Sequence, residues 1–232
     1  MSRKGAAPVL TRVVVALALL AGVAAPLEAR RRIRRFQPDP SAVAAAEIAL
    51  NRLAQEKGRW AAWRETAAEE ATLAVPQRVV ARDWLRGRVD TATPTRHDPQ
   101  TVYVSCDGRL AVATGLYGPE DHASGRFVSI WRRDAKKGQW QWLFIRETAM
   151  AEPGAALDYL EGHVAECRAG APGAPVPDGG RPGAGAAPAP RDASLLWSYD
   201  EATGELVVDV WNGQAYDRVL DMRSTGETGE RR

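Results

Sequence analysis

The residues best suited to chemistry in this chain are few and scattered. His97, His122 and His163 lie far apart, and no two share the spacing of a metal site, so no metal or other cofactor is expected. Glycine-rich phosphate loops of the Walker or dinucleotide type are absent, as is a Gly-x-Ser-x-Gly nucleophile turn. Cys106 has no histidine close in sequence, which disfavours a thiol nucleophile. What remains is Glu47, beside an apolar helical stripe, and Arg146, in a run of alternating residues. Glu47 suits either a buried general base or an ion-pair partner for Arg146. Strict alternation puts Trp142, Phe144 and Arg146 on one face of a strand, with Leu143, Ile145 and Glu147 on the other. Arg146 then reads either as a fixed cation for a carboxylate or phosphate ligand, or as half of an internal salt bridge with Glu47 or Glu65. Tyr103 and Tyr117 offer hydroxyl donors or simple core packing. The three histidines are expected in loops or on a helix surface.

The elements that must position these groups follow from periodicity. Pro38-Asp39-Pro40 marks a turn, Ser41 a helix cap, and Val43, Ala46, Leu50 and Leu53 a helical face over 42–57, stopped by Gly58. A second helix is predicted over 59–70, carrying Trp60 and Trp63, then a strand over 71–75 and a short helix over 81–86 with Trp84. Strands over 101–106 and 109–117 flank Asp107-Gly108, a two-residue hairpin signal. Two more, 126–133 and 139–147, complete a meander, so that helices first and strands afterwards give an α+β class. Leu157, Leu160 and Val164 predict a helix over 155–167. Residues 169–192 are nearly all Gly, Pro and Ala, the composition of a linker, and a three-stranded β-meander is expected over 193–223, ahead of a disordered tail at 224–232. That meander should dock rather than fold alone, because three short strands bury too little surface.

The start of the chain reads as a signal peptide over 1–29: a basic segment with Arg3, Lys4 and Arg12, an apolar run over 13–25, and a cleavage point after Ala29 (Leu27-Glu28-Ala29), preferred over one after Ala25 (Val23-Ala24-Ala25) because Pro26 follows the latter. Export, periplasmic or secreted, is the expectation, with an uncleaved N-terminal anchor helix as the alternative. A basic stem over 30–40 follows, and Arg30–Arg35 could touch an anionic membrane surface. Processing removes three of the 31 basic and one of the 29 acidic residues, leaving 28 of each. The whole-chain pI of 8.7 therefore misleads, and a neutral mature chain has no electrostatic reason to hold nucleic acid. In an oxidising compartment Cys106 and Cys167 are expected to form a disulfide.

Residues 41–168 are taken as one domain, and within them 41–148 resemble the nuclear transport factor 2-like superfamily, in its exported, polyketide-cyclase-like branch. The likeness rests on the long first helix running into Gly58-Arg59-Trp60, on Val75-Pro76, on Arg82-Asp83-Trp84, on Gly125-Arg126-Phe127 with Trp131 and Arg133, and on Gly138 with Trp140 and Trp142. The resemblance implies a cone of bent antiparallel sheet packed on helices around an apolar pocket, with the Trp142 face turned inward. It would place Arg146, Trp63, Trp84, Tyr117, Trp131 and Trp142 around a small ligand. It also implies a homodimer formed through the sheet. Two functions follow: a non-catalytic module binding a small apolar or amphipathic, even anionic, ligand or a protein partner, or an isomerase- or cyclase-like enzyme using Glu47 or a tyrosine for proton transfer.

Overall fold

The computed structural model describes residues 37–90, 95–119, 122–152, 157–167 and 193–223. The segments expected as signal peptide, linker and tail, and most of the one expected as a basic stem, lie outside the described residues. Helix α1 spans Pro40–Lys57 and starts two residues before the expected position. Pro40 occupies its first turn, where a missing N–H costs nothing, and Asp39 is the cap, its carboxylate accepting from Ser41 N at 3.0 Å. Gly58, at φ 93°, ends it. Helix α2 spans Arg59–Thr66 and α3 Ala81–Leu85. The strands are β1 (Ala67–Ala74), β2 (Arg78–Val80), β3 (Arg96–Val104), β4 (Leu110–Gly118), β5 (Gly125–Arg133), β6 (Trp140–Ala149), β7 (Glu161–Val164), β8 (Leu195–Tyr199), β9 (Leu206–Trp211) and β10 (Tyr216–Met222).

The first seven strands form one sheet in the order β2-β1-β6-β5-β4-β3-β7, antiparallel except for the β1–β6 and β3–β7 pairs. The last three form a separate antiparallel sheet. Helix α1 lays Val43, Leu50 and Ala54 on one face of the large sheet, together with Trp63 of α2. The C-terminal meander covers the other face: Phe144 meets Trp197 and Tyr199, each at 5.3 Å between ring centroids. Val128 and Ile130, neighbours of Arg146 and Phe144 across the β5–β6 ladder, are fully buried. The meander is therefore docked, and the core is continuous through both sides of the sheet.

Two irregularities decide which side chains face which way. In β6, Trp142 pairs with Trp131 and Phe144 with Ile130, leaving Leu143 as an extra residue. The bulge flips the alternation. Trp142 shares the helix-facing side with Ile145 and Glu147, and Phe144 and Arg146 turn to the meander, which corrects the face expected for Arg146. In β3 the register slips between Pro99 and Thr101, so His97 faces the helices while Thr101 and Tyr103 face the meander side.

The helix expected over 155–167 is not present among its described residues; 161–164 is strand β7, paired with β3. Leu157, Leu160 and Val164 do follow helical spacing, yet all three stay exposed, so their burial never drives a helix. Gly162 weakens a helix by about 1 kcal/mol relative to alanine. It lies against Pro40, where a Cβ would crowd the ring, and this favours the extended chain. Cys167, two residues past Ala165, is joined to Cys106 with a Cα–Cα separation of 5.3 Å across 61 residues.

That bond closes a long loop, so the paired substitution Cys106→Ser, Cys167→Ser should lower the unfolding free energy by about 4 kcal/mol. Urea denaturation of the oxidised protein and the double variant measures the difference; equal midpoints would contradict it.

Candidate functional site

Helix α1 places Glu47 one turn before Leu50 on its apolar face, and the carboxylate is wholly buried. It survives there because three donors converge on it. Ser129 Oγ donates to Oε1, Trp131 Nε1 donates to the same oxygen at 2.7 Å, and His97 Nδ1 meets Oε2 at 3.1 Å. Ser129 and Trp131 alternate along β5, which aims both inward.

His97 is the residue that sequence reasoning missed. It is 4% exposed on β3, neither in a loop nor on a helix surface, and its ring stacks on Phe127 at 3.9 Å with planes 7° apart. Its Nε2 meets Glu147 Oε1 at 3.0 Å. Asn51 of α1 clamps its backbone from both sides, accepting from His97 N at 2.9 Å and donating to His97 O at 2.6 Å. Glu147 in turn accepts from Arg59 Nη2, and the Arg59 guanidinium lies 4.6 Å over the rings of Trp60 and Trp63. The result is a chain of alternating charge, Glu47–His97–Glu147–Arg59, running from the closed interior to the rim. At the rim the side chains of Arg59 and Glu147 are 16% and 17% exposed.

The electrostatics follow from this order. Burial alone would drive the imidazole toward neutrality, but its bonds to Glu147 and Glu47 outweigh that and raise its pKa to about 9. Burial pushes Glu147 up, and the His97 bond and the Arg59 charge bring it below its ordinary value. Tyr117, opposite His97 in the β3–β4 ladder, is pushed up by burial and by Glu147, with Arg59 opposing.

Of the residues expected around a ligand, Trp63, Trp131 and Trp142 are packed into the hydrophobic core, Trp142 donating to Trp63 O at 3.1 Å. Tyr117 is half-buried at the rim. Trp84 is half-buried on α3, edge-on to Trp60 at 5.3 Å. Arg146 is separated from them by the sheet: it donates to the carbonyls of Gly204 and Met222, in the meander. Neither Glu47 nor Glu65 is its partner; Glu65 pairs with Lys57 at 2.7 Å. Tyr103 faces the meander side, in a cleft with Thr101, Thr114, Arg126 and Leu220. Among the described residues no group of three or more His, Cys, Asp or Glu could hold a metal ion. No helix there is long and apolar enough to cross a membrane.

No family model and no curated protein matches the chain. Solved structures with some likeness include a putative calcium/calmodulin-dependent protein kinase II association domain from Xanthomonas campestris, at 16% identity over 51% of this chain and 97% of that one, with a TM-score of 0.38. A protein of unknown function from Pectobacterium atrosepticum shows 15% identity over 48% and 91%, with a TM-score of 0.37. A nuclear transport factor 2-like protein of unknown function from Pseudomonas putida shows 20% identity over 50% and 96%, with a TM-score of 0.28. The architecture itself is α+β, a large mixed sheet with few helices and a separate three-stranded sheet.

The buried chain of charges predicts a two-sided pH profile. His97 has a folded pKa above its unfolded value of about 6.5, so its contribution is complete below that value and is lost as pH rises through about 9. The full contribution is on the order of 3 kcal/mol. Glu147 acts oppositely: its contribution is present above the unfolded carboxylate value and is lost as pH falls. The variant His97→Leu should cost about 3–5 kcal/mol near neutrality, since it strands Glu47, and should flatten the alkaline limb. Urea midpoints across pH check both; an unchanged alkaline limb in the variant would refute the assignment.

Proposed function

We propose that this chain is an exported, non-catalytic binding module of the nuclear transport factor 2-like kind. In this reading a small amphipathic, anionic ligand sits at the rim of the cone. The observation that carries it is the closed pairing of the interior charges. A proton-transfer enzyme needs a carboxylate or imidazole able to exchange a proton with substrate. Glu47 is held by three donors, and His97 has a carboxylate on each ring nitrogen. At the rim, Arg59 engages Glu147 through Nη2 alone among the described residues, so its remaining donors suit a carboxylate or phosphate head. Half-buried Trp60 supplies an apolar surface beside it, and the Trp84 ring next to Trp60 carries the Arg88 guanidinium at 3.3 Å, a second cation for an anionic head. Arg59 thus takes the role first expected of Arg146. The Cys106–Cys167 bond supports an oxidising compartment.

A second reading, an isomerase- or cyclase-like enzyme, draws support from Tyr117 beside Glu147 at the rim, where a hydroxyl and a carboxylate could share a proton with a bound carbonyl compound. The first reading is preferred because Glu147 is already held by a histidine and an arginine.

Titration with dodecanoate and with dodecanol, followed by tryptophan fluorescence, tests the proposal. Dodecanoate should bind about tenfold more tightly than the neutral alcohol, and Arg59→Gln should erase that preference. Equal affinity for the two amphiphiles in the unaltered protein, or no response to either, would refute it.

A further inference from the structure

Strand β7 is one of the two edges of the large sheet, β2 being the other, and its short sequence is complementary to itself. The backbone directions come first. Ala165 N donates to Val104 O, so the polar backbone groups of Ala165 point toward β3. Strand alternation gives the same direction to His163 and Glu161, and it turns the N–H and C=O of Leu160, Gly162 and Val164 outward. No outward group of these three has a backbone partner among the described residues. Their surroundings are open: Leu160 is 37% exposed and Val164 42%.

An antiparallel neighbour centred on Gly162 matches every position. Gly162 would face the partner's Gly162, exchanging both hydrogen bonds, and the place of its missing side chain is taken on the helix side by the Pro40 ring. Leu160 would face the partner's Val164 as a second hydrogen-bonded, apolar pair. Between them lies the pair in which side chains approach closest, and there Glu161 would face the partner's His163. The two-fold axis repeats the last two pairs. Glu161 and His163 already share one side of the sheet, opposite Thr101 and Tyr103, with His163 stacked on Tyr103 at 5.0 Å and 3.8 Å from Glu161. A strand carrying two negative or two positive side chains here would repel its own copy.

We propose that β7 is the docking edge for a second copy of this chain, joining two seven-stranded sheets through antiparallel β7–β7 pairing. This differs from a dimer formed through the sheet face, because the meander already covers Val128, Ile130 and Phe144 on one side and the helices cover the other.

Sedimentation velocity over a concentration series of the purified full chain reads the dimer directly. Glu161→Lys and His163→Glu should each weaken dimerisation about tenfold, through two symmetric mismatched pairs per dimer. The double variant E161K/H163E should restore it, since the introduced lysine then faces the introduced glutamate. Melting temperatures check that substitutions at half-buried Glu161 and exposed His163 leave the fold unaltered. A protein that stays monomeric at the highest concentration overturns the proposal. So does a dimer insensitive to both single changes, and so does a double variant no stronger than the singles.

Discussion

A buried carboxylate fixes the geometry of this molecule. Glu47 leaves water only because Ser129, Trp131 and His97 meet it at set positions on β5 and β3. An apolar residue in its place would tolerate small rotations of α1, whereas an ion in a low-dielectric interior tolerates almost none. Asn51, one turn further along α1, adds a second pair of directed bonds, to the backbone of His97. The helix is therefore held in rotation and in height by polar contacts, and Val43, Leu50 and Ala54 fill the space those contacts define. The same imidazole passes the constraint outward to Glu147 and Arg59, so the rim inherits its geometry from the centre.

The opposite side of the sheet is governed by a different device. Arg146 reaches through the apolar contact zone to two meander carbonyls, while Phe144 receives Trp197 and Tyr199. Near the disulfide several segments converge: Cys106 N donates to Ser194 Oγ, Glu166 N to Trp211 O, and Trp211 N to Ser194 O. The hairpin turn, the end of β7 and two strands of the meander meet at one joint. Burial of a cation here is moderated by carbonyl dipoles and not by a counter-charge, and desolvation accordingly lowers the Arg146 pKa.

The elements were largely legible from periodicity, and the meander expected over 193–223 is present as strands β8 to β10. Facing was not. A strand's side-chain period is two, so one extra residue inverts everything beyond it. Leu143 does this in β6 and moves Arg146 away from Trp142; the slip after Pro99 does it in β3 and brings His97 inward. Pro99 was the one visible sign, since proline inside a sheet strand favours edges and bulges. Beginning that strand at Thr101 left His97 outside it, and with it the partner of Glu47. The disulfide was legible because a chain with two cysteines has one intramolecular pairing available. The helix expected over 155–167 failed for a local reason: its apolar spacing had no surface to bury against.

The position of the disulfide in the chain has a thermodynamic meaning. It closes at Cys167, before the segment that leads to Ala193, so the covalent loop does not enclose the meander. The last three strands are held to the sheet by non-covalent contacts and by the tether of the chain itself. Their docking is an intramolecular association, with an effective concentration set by that tether. If the backbone were cut between residues 168 and 192, the same contacts would have to act between two molecules. Retention of the meander would then obey a dissociation constant and respond to dilution.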